Sequence, residues 1–461
     1  MRFIITKEDI TNQTELLTKV HQKFSQNFVT RTKNVSNQAL EYLKGLVGLE
    51  CKKNMSQMAQ KITTVCKQSL QNFISESPWK DEPFLKDIQS EVVALITEHS
   101  PNDDMALIGD ESGFPKQGKD SVGVKRQYCG ALGKVDNCQM GVFLAYASTT
   151  QTSLMTRSLY MPEEWCADKE RCDKAKVPED KREFKTKTQL LLDLINQTVA
   201  NGVPFKFISA DAGYDQNWFL DALDAKGHCY VIDSAKDVLV HAGWPEMMVE
   251  EQEGGTFKVK VLTNTAVKVE NLVNEGKIEF RRLTIRNTQR GELVIDFGRI
   301  RIYRSLKGMP CAKEEWLLIR REIDGSDIKY SFSNAPETIE LERHAEWQCR
   351  RYWVERALED AKGLAGLADY RVRGWNGWHH HTALVMLAMV FLLTLRNNLV
   401  DKAPMMSLQD ALLIVRTTMG RKVLTDEDAR DIILENHKNR DRSRKSKLRK
   451  QQQQARAQTV P

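Results

Sequence analysis

Four apolar runs decide the fold: MALIGDES (105–112), CQMGVFLAYAS (138–148), SLMTRSLYMP (153–162) and, after a helical interval, FKFISAD (205–211). Each is short, apolar and closed by turn residues or acids, as a buried strand is. The first three follow one another with only polar links, which predicts an antiparallel meander. Between the third and the fourth, Lys185 to Val199 places Leu190, Leu191, Leu194 and Ile195 at helical spacing. FKFISAD then delivers Asp211 at a strand end. QNWFLDALDAKG (216–227) predicts a helix closed by Gly227, and CYVIDS (229–234) a fifth strand.

Strand, strand, strand, helix, strand, helix, strand is the order of a ribonuclease H-like α/β core, here spanning 101–236 in its first part. Beyond it, residues 237–335 alternate apolar and polar side chains in TFKVKVL, KIEFRRLTIRN, ELVIDFGRIRIYRSL, EEWLLIRREI and KYSFSNAP, with Gly, Asn and Asp turns between. Period-two alternation of this kind predicts an all-β insertion. The helical pattern resumes from Glu340 through Lys362 and from Thr382 to Leu395, so residues 336–400 complete the core. Residues 401–436 predict C-terminal helices, over 407–418 and 425–436. At the other end, residues 1–100 predict a helical domain: Leu40, Leu43, Leu46 and Val47, then Met55, Met58, Ile62 and Val65, then Leu85, Ile88, Val92, Val93 and Ile96 fall on helical faces. These helices suit either DNA binding or a cap on the core.

A chain of 461 residues with 41% hydrophobic and 28% charged residues is large enough for several cores. MRFIITKEDITNQ turns polar within six residues, unlike a secretory leader. The longest apolar run, Ala383 to Leu395, falls short of the ~20 residues a bilayer span needs. No membrane partner and a cytoplasmic, nucleoid-associated site in a bacterial cell are expected. Nine cysteines without a CxxC pair predict reduced thiols and no zinc site. The net charge of +6 is uneven: from His437 onward nine Lys and Arg face one acid, Asp441, leaving the rest near −2. Residues 437–461 therefore predict a disordered basic tail suited to a polyanion.

Phosphodiester chemistry is commonly run by two magnesium ions about 3.5–4 Å apart, one activating the attacking oxygen and one stabilising the leaving oxygen. Magnesium wants oxygen ligands, so the protein must bring carboxylates together from rigid elements. Asp110 at or near the end of the first strand and Asp211 at the end of the fourth are two candidates. Glu111 should point away from Asp110, because side chains alternate along a strand. Glu355 shares a predicted helix face with Arg351 and Lys362, four residues before and seven after. A carboxylate between two cations suits a metal beside a phosphate, and equally a solvated Arg-Glu pair.

From about residue 36 to 396 the chain resembles the Asp-Asp-Glu (DDE) transposases of bacterial insertion sequences, in the branch with a β-strand insertion before the Glu. The matching segments are YLKGL (42–46), IGDESGFPKQGKDSVGVKRQYCGALGKVDNCQMGVFLAYAS (108–148), SLYMPEEW (158–165), ISADAGYD (208–215), YSFSNAP (330–336) and WVERALEDAKGLAGLADYRVRGWNGWHHH (353–381). The resemblance implies Asp110, Asp211 and Glu355 as catalytic residues and metal ligands, for two Mg2+ ions with Mn2+ able to substitute. It also implies a Tyr-Arg-Glu-Lys signature in which Arg351 and Lys362 bind DNA phosphates. Gln348 stands at the tyrosine position, a departure that Trp347 or Tyr352 could cover. Glu359, one turn on, is the rival third carboxylate and fits the signature less well. The implied activity is cut-and-paste transposition by phosphodiester hydrolysis and strand transfer. Double-stranded DNA, as element ends and target, is the implied partner, bound by a homodimer. The alternative is a DNA-binding regulator that has lost catalysis.

Other features weigh less. Lys116, Lys119, Lys125 and Arg126 could line a DNA path. His379, His380 and His381 cannot converge on one ion, since consecutive helical residues point about 100° apart; packing or phosphate contact beside Trp375 and Trp378 is expected. Trp244 and Trp316 are expected to pack within the insertion.

Overall fold

The computed structural model describes residues 5–11, 13–252, 256–288, 291–325, 327–420 and 425–458. The chain opens with helices α1 (Lys7–Ile10), α2 (Gln13–Phe24), α3 (Ser36–Gly48), α4 (Met55–Lys61), α5 (Lys67–Ser75) and α6 (Asp81–His99). Strands β1 (Ala106–Pro115), β2 (Lys125–Cys129), β3 (Lys134–Ala147) and β4 (Thr152–Leu159) follow. Two short helices, α7 (Glu163–Cys166) and α8 (Lys169–Lys174), lead into α9 (Lys187–Ala200), β5 (Phe207–Ala210), α10 (Asn217–Ala225) and β6 (Tyr230–Ser234). Next come β7 (Leu239–His241), β8 (Met247–Gln252), β9 (Thr256–Val261), β10 (Val267–Lys268), α11 (Val269–Asn274), β11 (Arg281–Thr288), β12 (Gly291–Leu306), β13 (Met309–Glu322) and β14 (Ile328–Ser333). The chain closes with α12 (Leu341–Cys349), α13 (Tyr352–Gly363), α14 (Trp375–Leu399), α15 (Leu408–Thr418) and α16 (Asp426–Gln458).

Strands β1, β3 and β4 form the expected meander, with β2 as a further partner of β3. Strand β5 runs parallel to β1 and β6 parallel to β5, while the remaining pairs of the twelve-stranded sheet are antiparallel. Nearly every residue from Cys138 to Ala147 is buried, because helices cover both faces. Leu191 of α9 packs so closely on one face that a Cβ at Gly109 would lie 2.4 Å from it. Trp378 of α14 packs on the other face, beneath Gly141. Gly109 and Asp110 point to opposite faces, so Asp110 looks toward α13 and α14, away from α9.

Three expectations change. Strand β1 does not end at or near Asp110 but continues to Pro115 along β3; only its pairing with β5 ends, at Gly109. Asp110 is thus the first residue of β1 left without a neighbour on the β5 side. Secondly, residues 237–335 are β-rich but include the helix α11, and their strands continue the sheet of β1–β6: β14 pairs with β6, and β13, β12, β7 and β10 follow outward. Unpaired, β6 would have been an open edge, and β14 covers it. The β12–β13 hairpin turns through Lys307 and Gly308, both left-handed at φ 53° and 85°, the geometry that matches strand twist in a two-residue loop. Thirdly, the basic segment from 437 is helical as far as Gln458, within α16. Lys, Arg, Gln and Glu are good helix formers, no Gly or Pro interrupts residues 426–458, and Lys445 pairs with Asp441 one turn away at 2.7 Å.

Helix α14 extends the predicted Thr382–Leu395 to twenty-five residues. It is apolar enough to cross a bilayer, yet it is mostly buried inside the chain. The helices of residues 1–100 pack around it, and one continuous hydrophobic core runs from Leu17 to Met419. The three histidines serve this packing. His379 stacks on Trp375, His380 stacks on Trp79 with ring centroids 3.9 Å apart, and His381 meets the Tyr42 hydroxyl at 2.9 Å. All three are buried, and burial lowers their proton affinity.

Candidate active site

Asp211 immediately follows β5 and starts a 3-10 turn, its Oδ1 accepting the Gly213 N–H at 3.0 Å. Gly109 and Ala210 form the last pair between the parallel strands β1 and β5, and Asp110 and Asp211 are the residues that directly follow them. Burial pushes the Asp110 carboxyl up to about 7; Asp211 adds to the rise, while Arg351 opposes it. Asp211 is raised by burial and by Glu111.

Glu355 comes from α13. The predicted helix Glu340–Lys362 is two helices, with α12 ending at Cys349 and α13 starting at Tyr352. The arginines at the junction are both drawn to acids. Arg350 donates to Glu346 at 2.6 Å, and Arg351 turns into the carboxylates. Arg351 Nη2 donates to Glu355, Nε stands 3.0 Å from Asp233 Oδ2, and Nη1 stands 3.5 Å from Asp110 Oδ2. Glu355 is half exposed. Glu359 pairs with Arg356 at 3.8 Å and is largely exposed, outside this cluster. Lys362 lies close enough for Asp110 to support its charge, although burial lowers its proton affinity.

The structure therefore brings Asp110 and Asp211 side by side and links Glu355 to Asp110 through Arg351. Among the described residues, no three of His, Cys, Asp and Glu stand close enough to hold an ion as they are. The donor chemistry nevertheless fits a hard divalent cation. The acids offer only oxygen, and desolvation raises the proton affinity of both aspartates even with Arg351 beside them.

Asp233 is not singled out by the sequence. It sits on β6 beside Asp211, since Ala210 is paired with Ile232. An acid ending the strand next to Asp211 is the available signal. Glu111 points to the α9 face, as expected, where Lys187 reaches it at 2.5 Å and Tyr214 donates at 3.0 Å. Tyr214 lies within the ISADAGYD segment, whereas Lys187 is marked by no motif. Gln348 is buried and donates to Ser331 Oγ at 2.8 Å. Trp347 stacks on Phe207 and donates to Asp104 at 2.7 Å, so it takes no part in the cluster. Tyr352 is exposed, with the Arg286 guanidinium 4.9 Å from its ring centre. Lys116 lies over the Tyr370 ring at 3.4 Å, and Lys125 pairs with Glu164 at 3.3 Å. Within residues 237–335, Trp316 is flanked by Arg299 and Arg301, whereas Trp244 is half exposed beside Tyr303.

Three comparisons bear on this site. The chain is 27% identical over 202 residues to "Probable transposase for insertion sequence element IS701" from Microchaete diplosiphon, a match covering 43% of this chain and 48% of that protein. The chain thus spans about half the length of that relative. A piggyBac transposase in a cryo-EM synaptic complex with hairpin DNA superposes over 87% of this chain and 76% of its own, at 8% identity and a TM-score of 0.39. The DDE superfamily endonuclease family model matches residues 23–292, a stretch that includes Asp110 and Asp211 and ends before Glu355. By that match over more than half its length, the chain belongs to the DDE superfamily endonucleases.

Proposed function

We propose that the chain is a DNA transposase that cuts and joins DNA at Asp110, Asp211 and Glu355. The observation that carries this reading is that Asp110 and Asp211 directly follow the last paired residues of two parallel strands, Gly109 and Ala210, with Glu355 tied to Asp110 by Arg351. The sheet order β4-β3-β1-β5-β6, with β5 and β6 parallel to β1, supports a ribonuclease H-like core over 101–236 that residues 336–400 complete. Residues 237–335 are then an insertion that lengthens the core sheet. The shared hydrophobic core favours the helices of 1–100 as a cap around α14.

Asp110, Asp211 and Glu355 would hold Mg2+, or Mn2+ in its place. A divalent ion bound there activates the attacking oxygen and stabilises the leaving one. The chain's own residues do the rest. Arg351 neutralises the buried acids and offers N–H donors to a phosphate, and Lys362 brings a second cation toward Asp110. Water attacks first, exposing a 3′-hydroxyl, and that hydroxyl then attacks target DNA. The substrate is double-stranded DNA, held by a homodimer in the cytosol so that both element ends are cut together.

The test is incubation of the full chain with Mg2+ and a plasmid carrying the DNA that flanks its coding sequence. Cutting at the flanks followed by joining supports the reading; binding without cutting selects a regulator that has lost catalysis. Protons should compete with the metal. Asp110 titrates near 7 and binds a cation only when ionised. Mg2+ affinity, measured calorimetrically, is therefore expected to fall about tenfold per pH unit below 7 and to level off above it. A profile flat from pH 5 to 8 would exclude Asp110 as a ligand.

Removing residues 437–461 is expected to weaken DNA binding and leave cleavage metal-dependent. The slope of log affinity against log salt should flatten by roughly 0.9 for each phosphate that the segment no longer neutralises. An unchanged slope in a filter-binding titration would leave the basic segment without a DNA role.

A further inference from the structure

Arg351 is held by three acids, and only two of them, Asp110 and Glu355, belong to the proposed reaction. The third, Asp233, is partly buried on β6 and has both oxygens engaged. Oδ2 faces Arg351 Nε at 3.0 Å, and Oδ1 accepts the Ser331 hydroxyl at 2.7 Å. Ser331 lies opposite Asp233 on β14 and itself accepts the Gln348 side-chain amide at 2.8 Å. Two hydrogen bonds, from Gln348 on α12 to Ser331 on β14 and from Ser331 to Asp233 on β6, thus lead to the ion pair that Asp233 makes with the guanidinium.

A guanidinium is a rigid planar fork, so fixing its Nε edge fixes where both Nη groups point. Here Nη2 takes Glu355, while Nη1 is buried, donates to no acceptor and stops 3.5 Å from Asp110. We propose that Asp233 is a positioning residue, which holds Arg351 so that Nη1 remains free for a phosphate oxygen and Asp110 remains free for a cation. This rests on the reading of Asp110 and Arg351 given above. Without the Asp233 charge, Arg351 settles on Asp110 and Glu355 and competes with the cation there. Gln348, at the signature's tyrosine position, acts through the same two hydrogen bonds by orienting Ser331.

The experiment is a double-mutant cycle in the full chain with Asp233→Asn, Arg351→Ala and the double variant. It reads Mn2+ affinity by calorimetry and Mg2+-dependent nicking of supercoiled plasmid DNA. Asp233→Asn alone should weaken Mn2+ binding about tenfold and lower the nicking kcat about 10–100-fold, the range typical of groups that orient a ligand, with little change in KM for DNA. In the Arg351→Ala background the same change should weaken Mn2+ binding no more than about threefold, from the missing charge alone, and should not slow nicking further. Ser331→Ala, a smaller disturbance, should act in the same direction. Equal losses in both backgrounds would make Asp233 a direct ligand and overturn the proposal, as would wild-type Mn2+ binding and nicking in Asp233→Asn. The two readings fail separately. Undiminished nicking by Asp110→Ala would sink the assigned catalytic site, whereas the Mn2+ cycle decides the role of Asp233 without reference to activity.

Discussion

Asp110→Asn is expected to abolish Mg2+-dependent DNA cutting and yet leave the metal-free protein at least as stable as the parent at pH 8. The first effect follows from its place beside Asp211 in the proposed site. Losing a group that only supports a metal ligand costs about 10–100-fold, so losing a ligand itself should cost on the order of 10³-fold or more. The second follows from burial. In the unfolded chain this carboxyl ionises near its ordinary value of 3.8, whereas in the folded chain it stays protonated to about 7. Between those values the unfolded state releases the proton first, so the folded state is penalised increasingly from about pH 4 and fully above about 7. Asparagine removes the penalty, and the midpoint of urea unfolding at pH 8 should hold or rise. At pH 4 the two proteins should differ little. A variant that still cuts would remove Asp110 from the chemistry. One that loses activity together with several kcal/mol of stability would make Asp110 a structural residue instead.

The second large effect concerns the joint between β12–β13 and the α10–β6 segment. Arg304 on β12 is buried and donates to Glu315 Oε2 on β13 at 2.9 Å, to Asp221 at 2.6 Å and to the Asn217 side chain at 2.6 Å, the last two on α10. Glu315 has no exposed surface, and its other oxygen accepts the Tyr230 hydroxyl of β6 at 2.6 Å. Arg304→Ala would strand a buried carboxylate. Breaking such a pair costs about 3–5 kcal/mol, because the remaining charge stays desolvated. Guanidinium chloride unfolding should show that loss. Arg304→Met combined with Glu315→Gln should recover most of it, since no net charge is then left buried. A single variant within about 1 kcal/mol of the parent would mean that water reaches Glu315. The double variant is the sharper control, because it removes the ion pair while keeping the volume.

Much of the site is legible as local pattern. The apolar runs ending in Asp110 and Asp211 read as strands, and Arg351, Glu355 and Lys362 read as one helix face. The periods that carry these inferences, two for strands and 3.6 for helices, depend on neighbours within a few residues. Asp233 escapes such a reading because nothing within CYVIDS marks its last acid as different from any polar residue at a strand end. Its importance comes from lying next to Asp211 across a strand pair and opposite Ser331, ninety-eight positions away. The break at Arg350 and Arg351 is hidden for a related reason. Residues 340–362 carry an uninterrupted helical pattern, and the junction is set by acids that approach from other elements. The basic segment illustrates the opposite case. Composition suggests disorder, whereas local propensity, with no Gly or Pro from 426 to 458, gives a helix.

By itself, the sequence determined most of the strands and helices and that Asp110 and Asp211 close apolar, strand-like runs, since burial period and turn chemistry are written in consecutive residues. Only the tertiary structure decided that the strands of residues 237–335 join the sheet of β1–β6 through β14, and that a single guanidinium gathers Asp110, Asp233 and Glu355. Those outcomes depend on which strand edge needs covering and which buried charges need a counterion, and both are properties of residues that meet only when the chain is folded.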